Sequence, residues 1–180
     1  MRVIFPVGDF LIPVISSGHE AFAKISDVIK SAASLIKSVT YKDNYQHVVS
    51  VTGSDQVLAT LTVPAKDISD DTIFEIWSLW SCTNSANAKN FKILLNGTAI
   101  FDLSQTTIQS MESVRQVRCR GAGNQVATNK ATSTPIGVTS STGVLTLTLD
   151  LSAGATLQFV GNRANSADSL AIEACCVKVL

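Results

Sequence analysis

The chain has 180 residues, of which 46% are hydrophobic and only 16% are charged. This length predicts one main domain with a substantial hydrophobic core. Fourteen basic residues balance fourteen acidic ones, so the sequence lacks the excess positive charge that nucleic-acid binding requires. With so few charges, much of the surface must be Ser, Thr, Asn and Gln. That composition is typical of a surface that meets other proteins or sugars.

The first seventeen residues, "MRVIFPVGDFLIPVISS", are strongly apolar. Pro6, Asp9 and Pro13 interrupt them, so we expect neither a signal peptide nor a membrane span. The prolines favour an extended path over a helix. An apolar arm of this kind must cover either the protein's own core or a partner subunit. In the second case the residues that dock are Phe5, Phe10, Leu11 and Ile12.

A helix is predicted next. Ser17 followed by Glu20 has the spacing of a capping box, which begins a helix. Apolar residues then recur three and four positions apart, at Phe22, Ile25, Ile29, Ala32, Ile36 and Val39. The helix either packs on its own domain or joins a short three-stranded bundle between subunits. In the bundle, subunit association is assigned to Phe22, Ile25, Ile29 and Ile36. The arm and helix form a predicted N-terminal region, residues 1–44.

The pattern of residues 45–180 predicts strands that alternate with turns throughout. The predicted strands are "QHVVSV", "QVLATLTV", "TIFEIWSLWS", "NFKILLN", "TAIFDL", "ESVRQVRCR", "GVLTLTLDL", "ATLQFVGNR" and "SLAIEACCVKVL". Asn96-Gly97 is a strong signal for a two-residue hairpin turn, and Leu145, Leu147 and Leu149 alternate as one buried face. Together these features predict a mainly β protein: an antiparallel jelly-roll β-sandwich preceded by an extended N-terminal arm and one short helix.

Three polar loops, "CTNSANAKN", "RGAGNQVATNKATST" and "VGNRANSADS", interrupt these strands. They are either plain solvated loops or surfaces that contact a sugar or a polar protein, and the second, as the longest, is the first choice for partner contact. The contact residues predicted in them are Asn84, Asn87, Lys89, Asn124, Gln125, Asn129, Lys130, Asn162, Arg163 and Asn165.

Chemistry-bearing motifs are scarce. There is no G-x-S-x-G element and no phosphate-binding loop, so no catalytic residue and no cofactor are predicted. The carboxylates considered for a glycosidase-like pair are Asp70, Asp71, Glu75, Asp102, Glu112 and Glu173. Asp70 and Asp71 lie in "KDISDDT", a predicted loop between strands, where turn formation and solvation are the ordinary roles of aspartate.

The cysteines, Cys82, Cys119, Cys175 and Cys176, form no C-x-x-C pair, and the chain has only two histidines, so no metal site is predicted. We expect buried reduced thiols, with cross-linking between subunits after release into an oxidising medium as the alternative. Arg115, Arg118 and Arg120 lie on a predicted strand, with Arg118 and Arg120 on one face and Arg115 on the other.

The order of "TNSANAK", a strand ending in "NGTAIFD" and the closing "TLTLDLSAGATLQFVGNRANSADSLAIEACCVKVL" resembles small jelly-roll domains of tailed-bacteriophage virions. The resemblance covers about residues 48–180. Such domains cap tail fibres or decorate capsids, usually as trimers. The chain shows no long fibre shaft ahead of the domain, which favours the decoration type.

The resemblance implies a non-enzymatic virion protein assembled in the host bacterial cytoplasm. The expected function is a trimeric capsid decoration protein that docks on the particle through its N-terminal arm. Its expected partners are itself and the major capsid or tail proteins, without nucleic acid and without membrane insertion. One alternative is a tail-fibre or tail-tip module that binds host glycan. The other is a small carbohydrate-active enzyme.

Overall fold

The computed structural model describes residues 11–16, 19–24, 38–128 and 143–180. The chain divides into two compact units, Met1–Lys37 and Ser38–Leu180, so that the boundary precedes the predicted one at residue 44. In the first unit, strands β1 (Leu11–Ser16) and β2 (His19–Lys24) pair antiparallel. Leu11 lies opposite Lys24, and Ser16 lies opposite His19.

The helix predicted from Ser17 onward is wrong where the structure describes it. Phe22 lies in strand β2, and Val39 lies in a strand of the second unit. Backbone pairing with a neighbouring strand outweighs a local helix signal, because helix propensity is a weak determinant. The extended path predicted for Leu11 and Ile12 is confirmed by β1. The other arm and association residues, Phe5, Phe10, Ile25, Ile29 and Ile36, lie outside the described residues.

The second unit contains eleven described strands. They are β3 (Val39–Asp43), β4 (His47–Val48), β5 (Gln56–Val63), β6 (Ile73–Cys82), β7 (Lys89–Leu95), β8 (Thr98–Gln105), β9 (Ser110–Cys119), β10 (Gln125–Ala127), β11 (Leu145–Leu147), β12 (Ala155–Arg163) and β13 (Leu170–Val179). A short 3-10 turn, Ala65–Asp67, follows β5.

These strands form two antiparallel sheets whose order defines the fold. The larger sheet has the order β11-β10-β9-β6-β13-β3, with β4 also paired to β13, and the smaller has the order β5-β12-β7-β8. If β3 and β4 count as one strand, and β10 and β11 are set aside as an extension, eight strands remain. Numbered along the chain, they run 1-8-3-6 in one sheet and 2-7-4-5 in the other. This order is that of a double Greek-key jelly roll, so the predicted fold is confirmed.

The core lies between the two sheets. Alternate residues of β6, including Phe74, Ile76 and Trp80, face inward and are fully buried. The Trp80 and Phe91 rings, from opposite sheets, meet edge to face with centroids 5.4 Å apart. This geometry suits the ring quadrupoles. The Trp80 indole N–H donates to Ser78 Oγ at 2.8 Å, so the buried polar group is satisfied.

The predicted turn at Asn96-Gly97 is confirmed, since both residues have positive φ, 45° and 78°. Leu145, Leu147 and Leu149 all pack on the core, although only Leu145–Leu147 is a strand. Cys82, Cys119 and Cys175 are buried free thiols as predicted, and Cys176 is partly exposed. Burial raises the pKa of the Cys175 thiol to about 12.

Candidate partner-binding surfaces

Four connections meet at one end of the sandwich, which we call the loop end: residues 49–55, 83–88, 106–109 and 164–169. Backbone hydrogen bonds join neighbouring loops to each other. The Thr107 N–H donates to the Ser85 carbonyl at 2.7 Å, and the Ala164 N–H donates to the Ala88 carbonyl at 3.0 Å. Two of the three loops predicted for partner contact therefore lie side by side, in a bonded arrangement.

Lys89, predicted to contact a partner, is fully buried at the start of β7. Its amine donates to Ser85 Oγ at 2.9 Å, to the Asn87 carbonyl at 3.0 Å and to the Ser85 carbonyl at 3.3 Å. These three acceptors match the three donors of an ammonium group. The cation therefore fixes the shape of the loop from inside, and its charge is not on the surface.

Asp168 ties the neighbouring loop to the same network. Its carboxylate is buried and accepts from Ser85 Oγ at 2.9 Å and from Asn87 Nδ2 at 3.1 Å. The guanidinium of Arg163 donates to the Asp168 backbone carbonyl at 2.5 Å. Among the predicted contact residues, Asn87 and Arg163 thus bond within the chain. Sequence reasoning missed Asp168, whose burial depends on how two distant loops meet.

The side chains that the loop end shows to solvent are small and polar. Asn84 and Asn165 are exposed, and Ser166 lies beside Asn165. Asn162 is half-buried and donates to Asp55 Oδ1 at 3.1 Å. The loop end is therefore a rigid surface with a few neutral donors and acceptors, which is the chemistry that meets sugar hydroxyls or a polar protein surface.

The third predicted loop lies at the opposite end, where β9 ends. Gln125 is buried there, and its amide bonds to both backbone groups of Leu149, at 2.9 and 3.1 Å. Asn124 is exposed, while Asn129 and Lys130 lie outside the described residues. A cleft of about 290 Å³ opens beside Gln125, and its walls include Asp70, Gly121, Gly123 and Asp150.

The candidate acidic residues are spread over the molecule. Asp70 and Asp71 lie at the end opposite the loop end, and Asp102 lies on β8 of the smaller sheet. Glu75, Glu112 and Glu173 lie on the outer face of the larger sheet. Hydrogen bonds from Ser81 and Gln46 lower the pKa of Glu173, whereas a general acid needs a raised pKa. The structure brings none of these carboxylates together as an acid–base pair.

Arg115 and Arg118 of β9, and Arg120 directly after it, divide between the two faces as the sequence predicted. Arg118 and Arg120 are exposed. Arg115 points into the sandwich, with its guanidinium carbon 4.3 Å from the centroid of the Phe101 ring. Burial lowers the pKa of Arg115 to about 10. This side chain is a cation–π element of the interior, not part of a basic surface.

The two outer faces of the sandwich differ in chemistry. On the smaller sheet, Lys92 and Asp55 form an ion pair at 2.5 Å, and this hydrogen bond lowers the pKa of Asp55. On the larger sheet, apolar side chains hold the centre of the face: Trp77, Leu79, Val114, Ala174 and Cys176. The sequence predicted "TIFEIWSLWS" as a strand, but this outward row was not predicted. The polar residues Glu75 and Ser81 lie at every second position with Trp77 and Leu79, so all four side chains share one face of β6. These two polar residues are the sequence signal that this face points outward.

In the parts of the chain that the structure describes, no three side chains among His, Cys, Asp and Glu come together as a metal site. A search of the same residues finds no helix that is long and apolar enough to span a bilayer.

No family model and no curated protein match the sequence. Among solved structures, T=1 particles derived from infectious bursal virus match with 13% identity and a TM-score of 0.37, over 94% of this chain and 36% of that one. The VP2 subviral particle of infectious bursal disease virus gives 13% and 0.35, over 94% and 38%. A protein of unknown function from Shewanella oneidensis MR-1 gives 9% and 0.28, over 93% and 96%. The chain spans little more than a third of the viral proteins, and likeness this low carries no argument about function.

Proposed function

We propose that this chain is a structural protein of a bacteriophage virion, a trimeric decoration protein on the capsid surface. The observation that carries the proposal is the strand order, 1-8-3-6 and 2-7-4-5, of the described sandwich. This double Greek key is an architecture of viral capsid and lectin domains.

The division of the chain into two units supports docking through the N-terminus. The sandwich has its own core, and the first unit, Met1–Lys37, is compact by itself. We assign docking on a major capsid protein to Phe5, Phe10, Leu11 and Ile12, and association into a trimer to Phe22, Ile25, Ile29 and Ile36. Binding that spans neighbouring capsid subunits stabilises the particle by mass action.

The chemistry of the loop end supports a binding role without catalysis. Its buried charges, Lys89 and Asp168, are satisfied inside the protein, and the candidate carboxylates are dispersed. The proposal includes no cofactor, no nucleic acid and no membrane insertion. The protein reaches the virion by assembly in the host bacterial cytoplasm.

The test is the copy number of this chain in purified particles of the virus that encodes it, by quantitative mass spectrometry. We expect a number that scales with the capsid lattice. A small multiple of the tail symmetry favours the adhesin below. Absence from the particles refutes a virion role. A variant with Leu11→Asp and Ile12→Asp should fold but be absent from the purified particles. The control Val144→Asp, at a residue that is 70% exposed, should be present at the wild-type copy number.

A second candidate function is a tail-tip module that binds host glycan. The observation that favours it is the convergence of two Asn- and Ser-rich loops at one end, with Asn84 and Asn165 exposed on a fixed backbone. Soluble protein should then coat susceptible cells, and an Asn84→Ala, Asn165→Ala variant should not. Failure of the wild-type protein to bind cells at high concentration would remove this candidate.

A further inference from the structure

The outer face of the larger sheet has an apolar centre that the described residues leave partly exposed. Trp77 lies level with Val114 on one neighbouring strand and with Cys176 on the other. Leu79 lies level with Ala174. Val114 is 45% exposed, which is unusual for an apolar residue at the middle of a ten-residue strand. An apolar patch on a sheet face marks a surface that meets another protein.

Charges of opposite sign lie on either side of this centre. Towards the loop end are Glu112 and Glu173. Towards the other end are Arg118 and Lys178, together with Glu75, which accepts a hydrogen bond from Gln116 at 2.9 Å. Lys42 lies level with Trp77, because its register partner is Cys176. One half of the face is thus acidic, and the other half has a net positive charge.

This arrangement is self-complementary under a two-fold rotation. An axis that lies across the strands at the level of Trp77 exchanges the two halves when a second copy is placed face to face. Lys178 is level with Glu75, and Glu173 is adjacent to Ala174, which is level with Leu79. Glu75 and Leu79 are each two residues from Trp77, so Glu173 of one copy meets Lys178 of the other. The same operation places Trp77 and Cys176 beside their own counterparts, and also Lys42, whose long side chain lies on the edge strand β3 and can turn away from its counterpart.

We propose that the outer face of the larger sheet binds a second copy of this chain around a two-fold axis, with Trp77 at its centre. The contact is isologous, since each copy offers the same surface. The Glu173–Lys178 pair favours this register, because a copy related by a two-fold axis along the strands would instead bring Glu112 against Glu173. This inference goes beyond the proposed function, since it holds whether or not the chain is a virion component.

The size of the face fits such a contact. β6 and β13 have ten residues each, which makes them roughly 33 Å long at about 3.3 Å per residue. Four strands about 4.8 Å apart give a flat area of about 600 Å² before side-chain relief is added. Specific interfaces bury about 800 Å² per partner. The flat area is below this value, so the face fits a weak, reversible two-fold contact, for which about 600 Å² per partner is the usual size.

The first experiment measures the mass of the full chain by sedimentation velocity over a range of micromolar concentrations. If the N-terminal unit forms trimers, the wild type should assemble beyond a trimer; if it does not, it should reach a dimer. Trp77→Glu should lower the mass to that of a trimer or of a monomer, respectively, and circular dichroism should show that it is folded. Thr60→Glu, at an exposed position of the smaller sheet, is the control and should leave the mass unchanged. An unchanged mass for folded Trp77→Glu overturns the proposal.

A charge exchange separates pairing of copies from a structural role. Glu173→Lys and Lys178→Glu should each weaken the two-fold contact roughly tenfold, because each brings like charges together. The double variant should restore it. A double variant as weak as the singles contradicts the proposed register. Neither position lies in the N-terminal unit, so these variants should leave any trimer intact. Loss of the trimer alone leaves a dimer, and loss of the two-fold contact alone leaves a trimer, so the measured mass distinguishes the two.

Cross-linking supplies an independent measure of the register. Cys176 is the one partly exposed cysteine, and all four cysteines lie in the described residues. A short bis-maleimide should therefore join two copies of the wild type through Cys176. Cys176→Ser and Trp77→Glu should both abolish the covalent dimer. Efficient cross-linking of Trp77→Glu, or none in the wild type at concentrations where it dimerises, overturns the assignment of this face.

Discussion

The buried amine of Lys89 and the buried carboxylate of Asp168 are joined through one hydroxyl group, that of Ser85. Lys89 Nζ donates to Ser85 Oγ at 2.9 Å, and Ser85 Oγ donates to Asp168 Oδ2 at 2.9 Å. Two charges that are far apart in sequence thus fix the relative position of two loops. The polar residues that sequence reasoning assigned to partner binding are, in part, the framework of the loop end.

Lys89→Met should destabilise the protein strongly. The change leaves three acceptors without their donor and removes the ammonium group that Ser85 joins to the buried Asp168 carboxylate, so the free energy of unfolding should fall by about 3 kcal/mol. Chemical denaturation measures it. Lys92→Met is the matched control, because Lys92 forms its ion pair with Asp55 on the outer face, and should cost at most about 1 kcal/mol. Equal losses for the two variants would contradict the framework role of Lys89.

Gly154→Ala should cost about 3 kcal/mol of unfolding free energy. Gly154 has φ of +110°, and a Cβ at this position would lie 2.7 Å from the Val63 carbonyl oxygen. Both the backbone conformation and the contact with rigid backbone oppose a side chain. Gly143→Ala, where a Cβ meets nothing within 4 Å, should be nearly neutral in the same denaturation measurement. A neutral Gly154→Ala would show that the connection between β11 and β12 adjusts freely.

Stability should fall as the pH rises above 9, because buried thiols titrate later in the folded state. Burial raises the pKa of Cys175 from 9.0 to about 12. The folded protein keeps this proton while the unfolded chain loses it, so the contribution is complete below pH 9 and is lost between pH 9 and 12. Denaturation at several pH values should show a shallower fall for Cys175→Ala. Leu147→Ala, which removes a buried group that does not titrate, should lower stability without changing the slope.

Strands with a clear alternation and a turn signal at each end could be predicted to the residue. β5 and β12 coincide with "QVLATLTV" and "ATLQFVGNR". β3 could not be predicted, because Val39 also fits a helical spacing and only pairing with β13 decides between the two. The same limit applies to β2. Local sequence predicts a strand well where apolar and polar residues alternate clearly. It predicts a strand poorly where pairing with a strand that is distant in the sequence decides between helix and strand.

The surfaces were harder to predict than the strands. Trp77 and Trp80 are three residues apart on β6, so their side chains must lie on opposite faces. In the sequence, only the polar residues Glu75 and Ser81, which share a face with Trp77, indicate that Trp77 is the outer one. The burial of Lys89 depends on carbonyl groups that converge only after the loop has folded. The residue types correctly predicted that the loops are polar. Which side chains point into the protein and which point to solvent could be determined only from the strand register and the folded loops.

The exposed loop-end residues distinguish the two candidate functions. Asn84→Glu together with Asn165→Glu adds negative charge to the loop end without touching Lys89 or Asp168. If the chain decorates capsids through its N-terminal unit, the copy number in particles should stay at the wild-type value. If it is a tail-tip adhesin, the variant should still assemble, but cell binding should fall at least tenfold, since carboxylates displace the neutral donors that meet a sugar. Loss of the double variant from particles, with folding intact, would place the docking surface at the loop end and contradict docking through Leu11 and Ile12.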